Sequence, residues 1–377
     1  MKAIPPIFAD SEMLFCSVPV PPIDAHKGAE FDFTPQQIAN YGQSQTHPSI
    51  FYFPDGWNGH KYWLATTPYP HAYGVFENPC IYYGDEINGM PPRVFTPISG
   101  KASGRYTIID NPVVKILSNQ ATNSDPDLWY DSLTGKLWLI SRDNGDASAM
   151  FGFSLWAQDS LKGKAWRPRG TKPLWRCSTG PLEGKPEFLS PAILKIGTKI
   201  RIYNLSGTAG VAPLDYVKNT GINWGLYIME GTKLESGGDF VFTRKAAILG
   251  KRGIEPWHMD MFVDSRTGYI YMICSAANRL TGGTDVYLAE SKNGFDFILF
   301  AKPLLATYSH YRPTATLRES DNMLIVYFSV LNAPTTAARY PNGASDVPVD
   351  GRAIGLSYKK FDDVLAELRN DKVYGYV

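Results

Sequence analysis

Cysteine is scarce in this 377-residue chain: Cys16, Cys80, Cys177 and Cys274 stand far apart, with no CxxC pair and no Cys/His ligand spacing. That excludes zinc-ribbon folds and disulfide frameworks, and free buried thiols are expected. Long apolar runs are also missing. The nearest candidate, Met323 to Val330, has strand length, far short of the ~18 to 20 residues a membrane helix requires. Net charge is close to nil, since 37 Lys+Arg against 36 Asp+Glu leave +1. No bulk field therefore favours nucleic acid or an anionic membrane as partner. Charged residues make up only 19%, too few for a disordered chain or a coiled coil. The opening MKAIPPIFADSEMLF sets Pro5, Pro6, Asp10 and Glu12 where a secretory signal has its apolar core. Sec export is not expected, which leaves a cytoplasmic or virion-associated protein. There is no GxSxG elbow, GxGxxG fingerprint, Walker loop or HExxH, so the corresponding serine-hydrolase, dinucleotide, nucleotide and zincin chemistries lack support.

Aromatic residues and turn formers are abundant. The chain holds 22 Tyr, 19 Phe and 9 Trp, with 34 Gly and 28 Pro scattered as punctuation, a composition suited to many short strands. A short motif recurs, a polar residue, usually Pro, a small or acidic residue and then an apolar run. Its copies are His47-Pro48-Ser49-Ile50, Asp125-Pro126-Asp127-Leu128, Ser190-Pro191-Ala192-Ile193, His258-Met259-Asp260-Met261 and Arg312-Pro313-Thr314-Ala315. Each copy is followed by a turn and a second aromatic or β-branched run, as in YDSLTGKLWLISRD and VDSRTGYIYMICS. These read as hairpins. Third runs are expected at Asn78 to Tyr83, Met150 to Trp156, Trp224 to Met229, Asp285 to Glu290 and Ala353 to Tyr358. Fourth runs are expected near Arg93 to Ile98, Trp166 to Leu174, Phe240 to Ala247, Phe297 to Leu304 and Lys372 to Val377. Helical periodicity is confined to Thr34 to Asn40 and Phe361 to Arg369. The reading is an all-β fold, a five-bladed β-propeller of four-stranded antiparallel blades over residues 45–377, with residues 1–44 as an extension packed on it.

In such a ring the motif residues open the innermost strands and rim one axial pocket. Asp125 and Asp127 are the foremost catalytic candidates, because two carboxylates at i and i+2 resist desolvation without a partner. His258, with Glu255 before it and Asp260 after it, is expected to have its pKa raised by a carboxylate and to act as a general acid. Glu77 is a further catalytic candidate. His47, Ser190, Asp260 and Arg312 are candidate substrate-binding groups, Arg312 as a fork for a ligand carboxylate. Of the aromatics Trp57, Tyr73, Trp129, Trp224, Trp257 and Tyr311, only Trp257 and Tyr311 are expected to face a ligand. Strand-opening prolines and core histidines supply the purely structural alternative.

SDPDLWYDSLTGKLWLI resembles the second-blade strand of the five-bladed propeller glycosidases, the group of arabinanases, β-xylosidases, invertase-like fructosidases and neoagarooligosaccharide hydrolases. The likeness runs over roughly residues 45–360 and rests on blade architecture and short motifs. The string HPS, ENP, SDPD, SP, WHxD, YR also resembles propeller proteins of bacteria and their phages, including tail-associated ones. The resemblance implies a glycoside hydrolase acting on a poly- or oligosaccharide. A non-catalytic glycan-binding or tail propeller, with virion or homo-oligomer association, is the alternative. No cofactor is expected; a divalent cation held by His47, His258, Asp125 and Asp127 is a third option. The chain departs from the group in two places. His47 and Ser49 stand where the group carries an Asp base or nucleophile, and Leu189-Ser190 where it carries a Glu acid. Retained chemistry would make Asp125 or Asp127 the base or stabiliser and His258, Glu77 or Glu255 the acid.

Overall fold

The computed structural model describes residues 5–19, 44–69, 77, 79–98, 123–143, 149–156, 167–168, 175–176, 189–206, 225–234, 240–249, 254–278, 283–306, 310–348 and 350–370. The architecture is an all-β propeller, and four sheets are found among these residues. The first holds β2 (Gln45–Trp57), β3 (His60–Pro68), β4 (Cys80–Gly84) and β5 (Thr96–Pro97). The second holds β6 (Asn123–Asp131), β7 (Lys136–Asp143) and β8 (Ala149–Trp156), with the short β9 (Arg167–Pro168) and β10 (Trp175–Arg176) against β8.

The third sheet has eight strands in two antiparallel halves. One half is β11 (Leu189–Ile196), β12 (Lys199–Ser206), β13 (Gly225–Gly231) and β14 (Val241–Leu249). The other is β15 (Ile254–Asp264), β16 (Tyr269–Asn278), β17 (Gly283–Ser291) and β18 (Asp296–Leu299). A single parallel pairing of β14 with β18 joins the halves. The last sheet runs β1 (Leu14–Phe15), β21 (Ala353–Lys360), β20 (Met323–Val330), β19 (His310–Arg318). Its outermost strand therefore comes from near the start of the sequence, whereas Lys372 to Val377, expected in that place, lie outside the described residues.

The second strand of each repeat explains how the sheets hold together. Its side chains alternate between two neighbouring cores, so both faces are apolar. On β7, Leu137 and Leu139 pack with Phe53, Trp63 and Ile81, while Trp138 and Ile140 pack with Ile193, Ile202 and Met229. On β12, Tyr203 and Leu205 join Met259, Met272 and Phe297. On β16, Tyr271 and Ile273 join Val326 and Phe328. On β20, Ile325 and Tyr327 join Ile50, Leu64 and Tyr82, which closes the cycle on β3. The innermost strands repeat this order, β2 touching β6, β6 touching β11, β11 touching β15, β15 touching β19, and β19 touching β2.

Residues 7–18 strap the closing seam. Ile7 and Phe8 donate backbone N–H bonds to Pro303 and Leu304, Cys16 to Ile354, and Ser17 to Arg93. The expected helix at the other end is α1 (Phe361–Asn370), whose buried Phe361, Val364, Leu365 and Leu368 recur at helical spacing. Asp362 and Asp363 in its first turn and Arg369 in its last suit the helix dipole. Thr34 to Asn40, the other expected helix, lies outside the described residues. No described helix is long and apolar enough to cross a membrane. Cys16, Cys80 and Cys274 are buried and free, as expected; burial pushes the Cys16 thiol up to about 12. Cys177 lies outside the described residues.

The two ends of the sheets differ. Tight turns at residues 58–59, 132–135, 197–198, 265–268 and 319–322 join first to second strands at one end. The longer connection 331–352 leaves the opposite end, where the five motifs begin.

Candidate active site on the propeller axis

Each motif sits on a break in its innermost strand. The pairing register shifts between Thr46 and Ser49, Ser124 and Asp127, Leu189 and Ala192, and Tyr311 and Pro313. These are β-bulges, which bend a strand and re-aim a side chain. His47, Asp125, Ser190 and Arg312 accordingly have φ of 53°, 49°, 47° and 36°, a left-handed conformation that costs a non-glycine residue energy and persists where its surroundings over-determine it. Proline as the next residue brings no N–H that the broken ladder would leave unpaired. The fourth copy has Met259 in that place. Its shift falls one residue earlier, between Pro256 and His258, and leaves Trp257 unpaired.

The motif residues converge around Asp125. His47 Nε2 lies 3.6 Å and His258 Nδ1 3.7 Å from Asp125 Oδ1. Ser190 N donates to Asp125 Oδ2 at 3.4 Å, and Arg142 Nη1 reaches the same oxygen at 3.5 Å. Among the described residues, Asp125 Oδ1, His47 Nε2 and His258 Nε2 are buried without a hydrogen-bond partner. The Ser190 hydroxyl and His258 Nδ1 are hydrogen-bonded at 2.6 Å. On the far side of its ring, His47 Nδ1 bonds the Thr67 hydroxyl at 2.8 Å and lies 3.3 Å from Glu77 Oε1. The Tyr311 ring closes over both imidazoles, at 5.1 Å from His47 and 4.3 Å from His258, with half-buried Trp257 edge-on to it at 5.5 Å. Tyr69 stands 6.1 Å from His47.

The electrostatics separate the acid from the imidazoles. Burial alone would raise the Asp125 pKa, but His47, His258, Arg142 and Arg312 outweigh it and hold the carboxyl well below the usual carboxylate range. Burial lowers His47 to about 4, with Arg312 and Arg142 acting in the same direction and Asp125 opposing. His258 is lowered well below 6.5 by burial first, then His47, Arg312 and Arg142, again against Asp125. The expectation that a carboxylate would raise the His258 pKa is therefore corrected: desolvation and the nearby cations outweigh Asp125. Both imidazoles lose their charge below neutral pH, and Arg142 and Arg312 then remain as the fixed cations beside Asp125.

A second layer lies at the i+2 positions. Ser49 Oγ accepts from Leu128 N and donates to Asp127 Oδ1, both at 2.9 Å. Asp127 Oδ2 accepts from Ile193 N at 2.8 Å. Thr314 Oγ1 accepts from Ile50 N at 3.0 Å and donates to Asp260 Oδ2. Asp260 also accepts from the Ala315 backbone. In four copies, then, a side chain at i+2 receives the i+3 backbone N–H of an adjoining strand. Ala192 has no acceptor to offer, and Met261 N bonds Asp260 Oδ1 of its own copy at 2.7 Å instead. Burial raises the pKa of Asp127, the Asp260 charge raises it further, and Arg312 opposes. Burial likewise raises Asp260.

The structure thus brings His47, Glu77, Asp125, Ser190, Trp257, His258, Tyr311 and Arg312 to one place, and sets Asp127 and Asp260 in the adjacent layer. The Glu255 side chain, Tyr73 and Trp224 lie outside the described residues. Trp57 and Trp129 are core residues. Arg142, Thr67 and Tyr69 were not legible as site residues. Arg142 and Thr67 pair across the bulges with Ser124 and Thr46, and a polar residue ending an otherwise apolar second strand was the available signal. Among the described residues no group of three or more His, Cys, Asp or Glu side chains is arranged to hold a metal ion.

Fold and buried side-chain cluster together define a β-propeller with an ionisable axial site. Neither a protein-family profile nor a curated protein sequence matches the chain. Its fold is similar to that of an N-acetylgalactosamine deacetylase from F. plautii, solved in complex with blood group B trisaccharide. The two share 16% identity over 96% of this chain and 98% of that one, with a TM-score of 0.66. A GH43_1 enzyme from Xanthomonas citri complexed with xylotriose is similar at 13% identity, over 84% and 87% of the two chains, with a TM-score of 0.54. The RS223 β-xylosidase is similar at 12% identity, over 84% and 92%, with a TM-score of 0.51. The likeness to propeller glycosidases expected from the sequence holds at the level of fold.

Proposed function

We propose that this protein is a five-bladed β-propeller enzyme that hydrolyses a poly- or oligosaccharide in its axial pocket. The five-blade count is supported by the cyclic contact of five innermost strands and by five apolar seams, the eight-stranded sheet being two blades joined along one parallel edge. The catalytic reading is carried by one observation. Asp125 is a buried, ionised carboxylate whose Oδ1 has no hydrogen-bond donor among the described residues, flanked by two neutral imidazoles whose Nε2 atoms are equally unpartnered there. Such a group is suited to take a proton from a substrate hydroxyl or water, or to stabilise a developing positive charge. Glu77 is its partner as acid. The two carboxylates lie on opposite nitrogens of His47, and so stand no more than about 9 Å apart, within the ~5–9.5 Å over which paired carboxylates hydrolyse glycosides. His258 and His47, neutral at neutral pH, serve as hydrogen-bonding groups, and Trp257 and Tyr311 supply apolar faces to a sugar ring. Asp127 and Asp260 hold the ring of strands together.

A second reading is removal of an N-acyl group from a sugar. It is favoured by the nearly complete mutual coverage with the F. plautii deacetylase and by having one ionised carboxylate beside two neutral imidazoles. A panel of oligosaccharides, including N-acetylated ones, tests both, with released reducing ends and released acetate measured in parallel. Asp125→Asn is expected to lower turnover by about 10²–10⁴-fold. Reducing ends identify glycoside hydrolysis and acetate identifies deacylation. Undiminished turnover by the Asn variant overturns the assignment of Asp125, and saturable binding without product makes the protein a glycan-binding propeller.

A further inference from the structure

Arg312 is the one motif residue with a permanent charge, and the pattern of the sequence suggests a fork for an anionic ligand. Its placement argues otherwise. The side chain is fully buried. Nη1 donates to the carbonyl of Pro126 at 2.6 Å, while Nε and Nη2 have no hydrogen-bond partner among the described residues. Pro126 is the second residue of the bulge that Asp125 opens at φ 49°. The bond therefore runs from β19 across the axis to β6 and grips the strained segment itself. We propose that Arg312 is a positioning residue for Asp125, clamping from across the axis the bulge that aims its carboxylate between the His47 and His258 rings.

Two further facts fit this role. A left-handed conformation at a non-glycine residue needs its neighbours to hold it, and among the described residues the Asp125 carboxylate itself has only long contacts, 3.4 Å to Ser190 N and 3.5 Å to Arg142. A guanidinium on the axis also faces both layers, His47, Asp125 and His258 in one and Asp127 and Asp260 in the other. Among the described residues, the other charged or titratable groups around Asp125 are Arg142, Glu77, Tyr69 and Tyr311. Of these only Arg142 is a fixed cation, and it is partly exposed, with 19% of its side chain accessible. Arg312 thus supplies the positive charge that solvent screens least.

The inference rests on Asp125 as the reacting carboxylate, but its first readout needs no substrate. Imidazole titrations followed by NMR on the full chain compare wild type, Arg312→Lys, Arg312→Gln and Arg312→Met. Removing the charge in the Gln and Met variants should raise the His47 midpoint, about 4 in the wild type, by about one unit or more, whereas Lys should leave it nearly in place. The second readout uses whichever oligosaccharide is turned over. Lysine cannot reproduce the planar fork, so Arg312→Lys should lower kcat at least tenfold with KM changed less than about threefold. In the Gln and Met variants the acid limb of kcat/KM should move to higher pH. The proposal is overturned if the His47 midpoint is the same in all four proteins. It is equally overturned if Arg312→Lys or Arg312→Gln raises KM and spares kcat, the signature of a ligand-binding fork. Should no saccharide be turned over, the reading of function fails while the titration still decides whether Arg312 sets its charge on the Asp125 cluster; Gln, close in size and able to bond Pro126, keeps the charge test available if the Met variant does not fold.

Discussion

Replacing Asp127 separates a pocket role from a ring-closing role. In Asp127→Ala the Ser49 hydroxyl and the Ile193 N–H each lose their acceptor inside the protein. A buried donor left without a partner costs about 1–3 kcal/mol. Part is returned, because burial and the Asp260 charge already disfavour the Asp127 carboxylate. A net loss of about 2–4 kcal/mol follows, which at about 2 °C per kcal/mol for a long chain lowers Tm by about 4–8 °C. Asp127→Asn keeps an acceptor for Ile193 N and removes the repulsion from Asp260, so its loss should be about 1 kcal/mol or less. The pH dependence has a definite sign. The folded pKa of Asp127 is raised, so between the unfolded value and the folded one the native state binds more protons, and stability declines as pH rises. Wild type should therefore exceed the Asn variant in Tm by more at pH 5 than at pH 7.5. Thermal melts followed by circular dichroism at both pH values, with turnover on the same preparations, are the assay. Melts of Asp127→Ala within 1 °C of wild type combined with lost turnover would refute ring closure and return Asp127 to the chemistry.

The same linkage applies to His47 with the opposite sign. Its folded pKa is lowered from 6.5 to about 4, so the unfolded chain binds more protons in that window and stability falls as the pH is lowered from 6.5 to 4, by about 3 kcal/mol in all; His47→Gln should remove that slope in urea titrations across the range, and an unchanged slope would show that another group is responsible. Trp138 is 1% exposed in the seam between β7 and the β11–β14 half, so Trp138→Ala should cost about 3–5 kcal/mol in denaturant unfolding, and a loss below 1 kcal/mol would contradict a packed seam there.

What could be read from the sequence follows from how each feature is encoded. The second strands were legible because their period-two alternation serves two cores at once: the LWLI run of β7 and MLIVYFSV of β20 are unbroken or nearly unbroken apolar stretches, and such runs need no long-range information to be recognised. The motif repeat located the axial residues for the same reason, since Pro after a polar residue marks a ladder break locally. The layering of those residues was not legible. Reading i and i+2 as one strand face put Asp125 beside Asp127, but the bulge inserts a residue at the motif and separates them. Asp125 then meets His47 and His258, while Asp127 meets Ser49 and Ile193. A one-residue slip changes which groups share an environment, and that slip is visible only in pairing, not in composition. The His258 pKa failed in the same way, because its direction is set by burial and by Arg142 and Arg312, which lie 116 residues before it and 54 after it in the chain. Local sequence specified which side chains reach the axis; closure of the ring decides which of them remain charged there, and the strained bulges are where that closure is used.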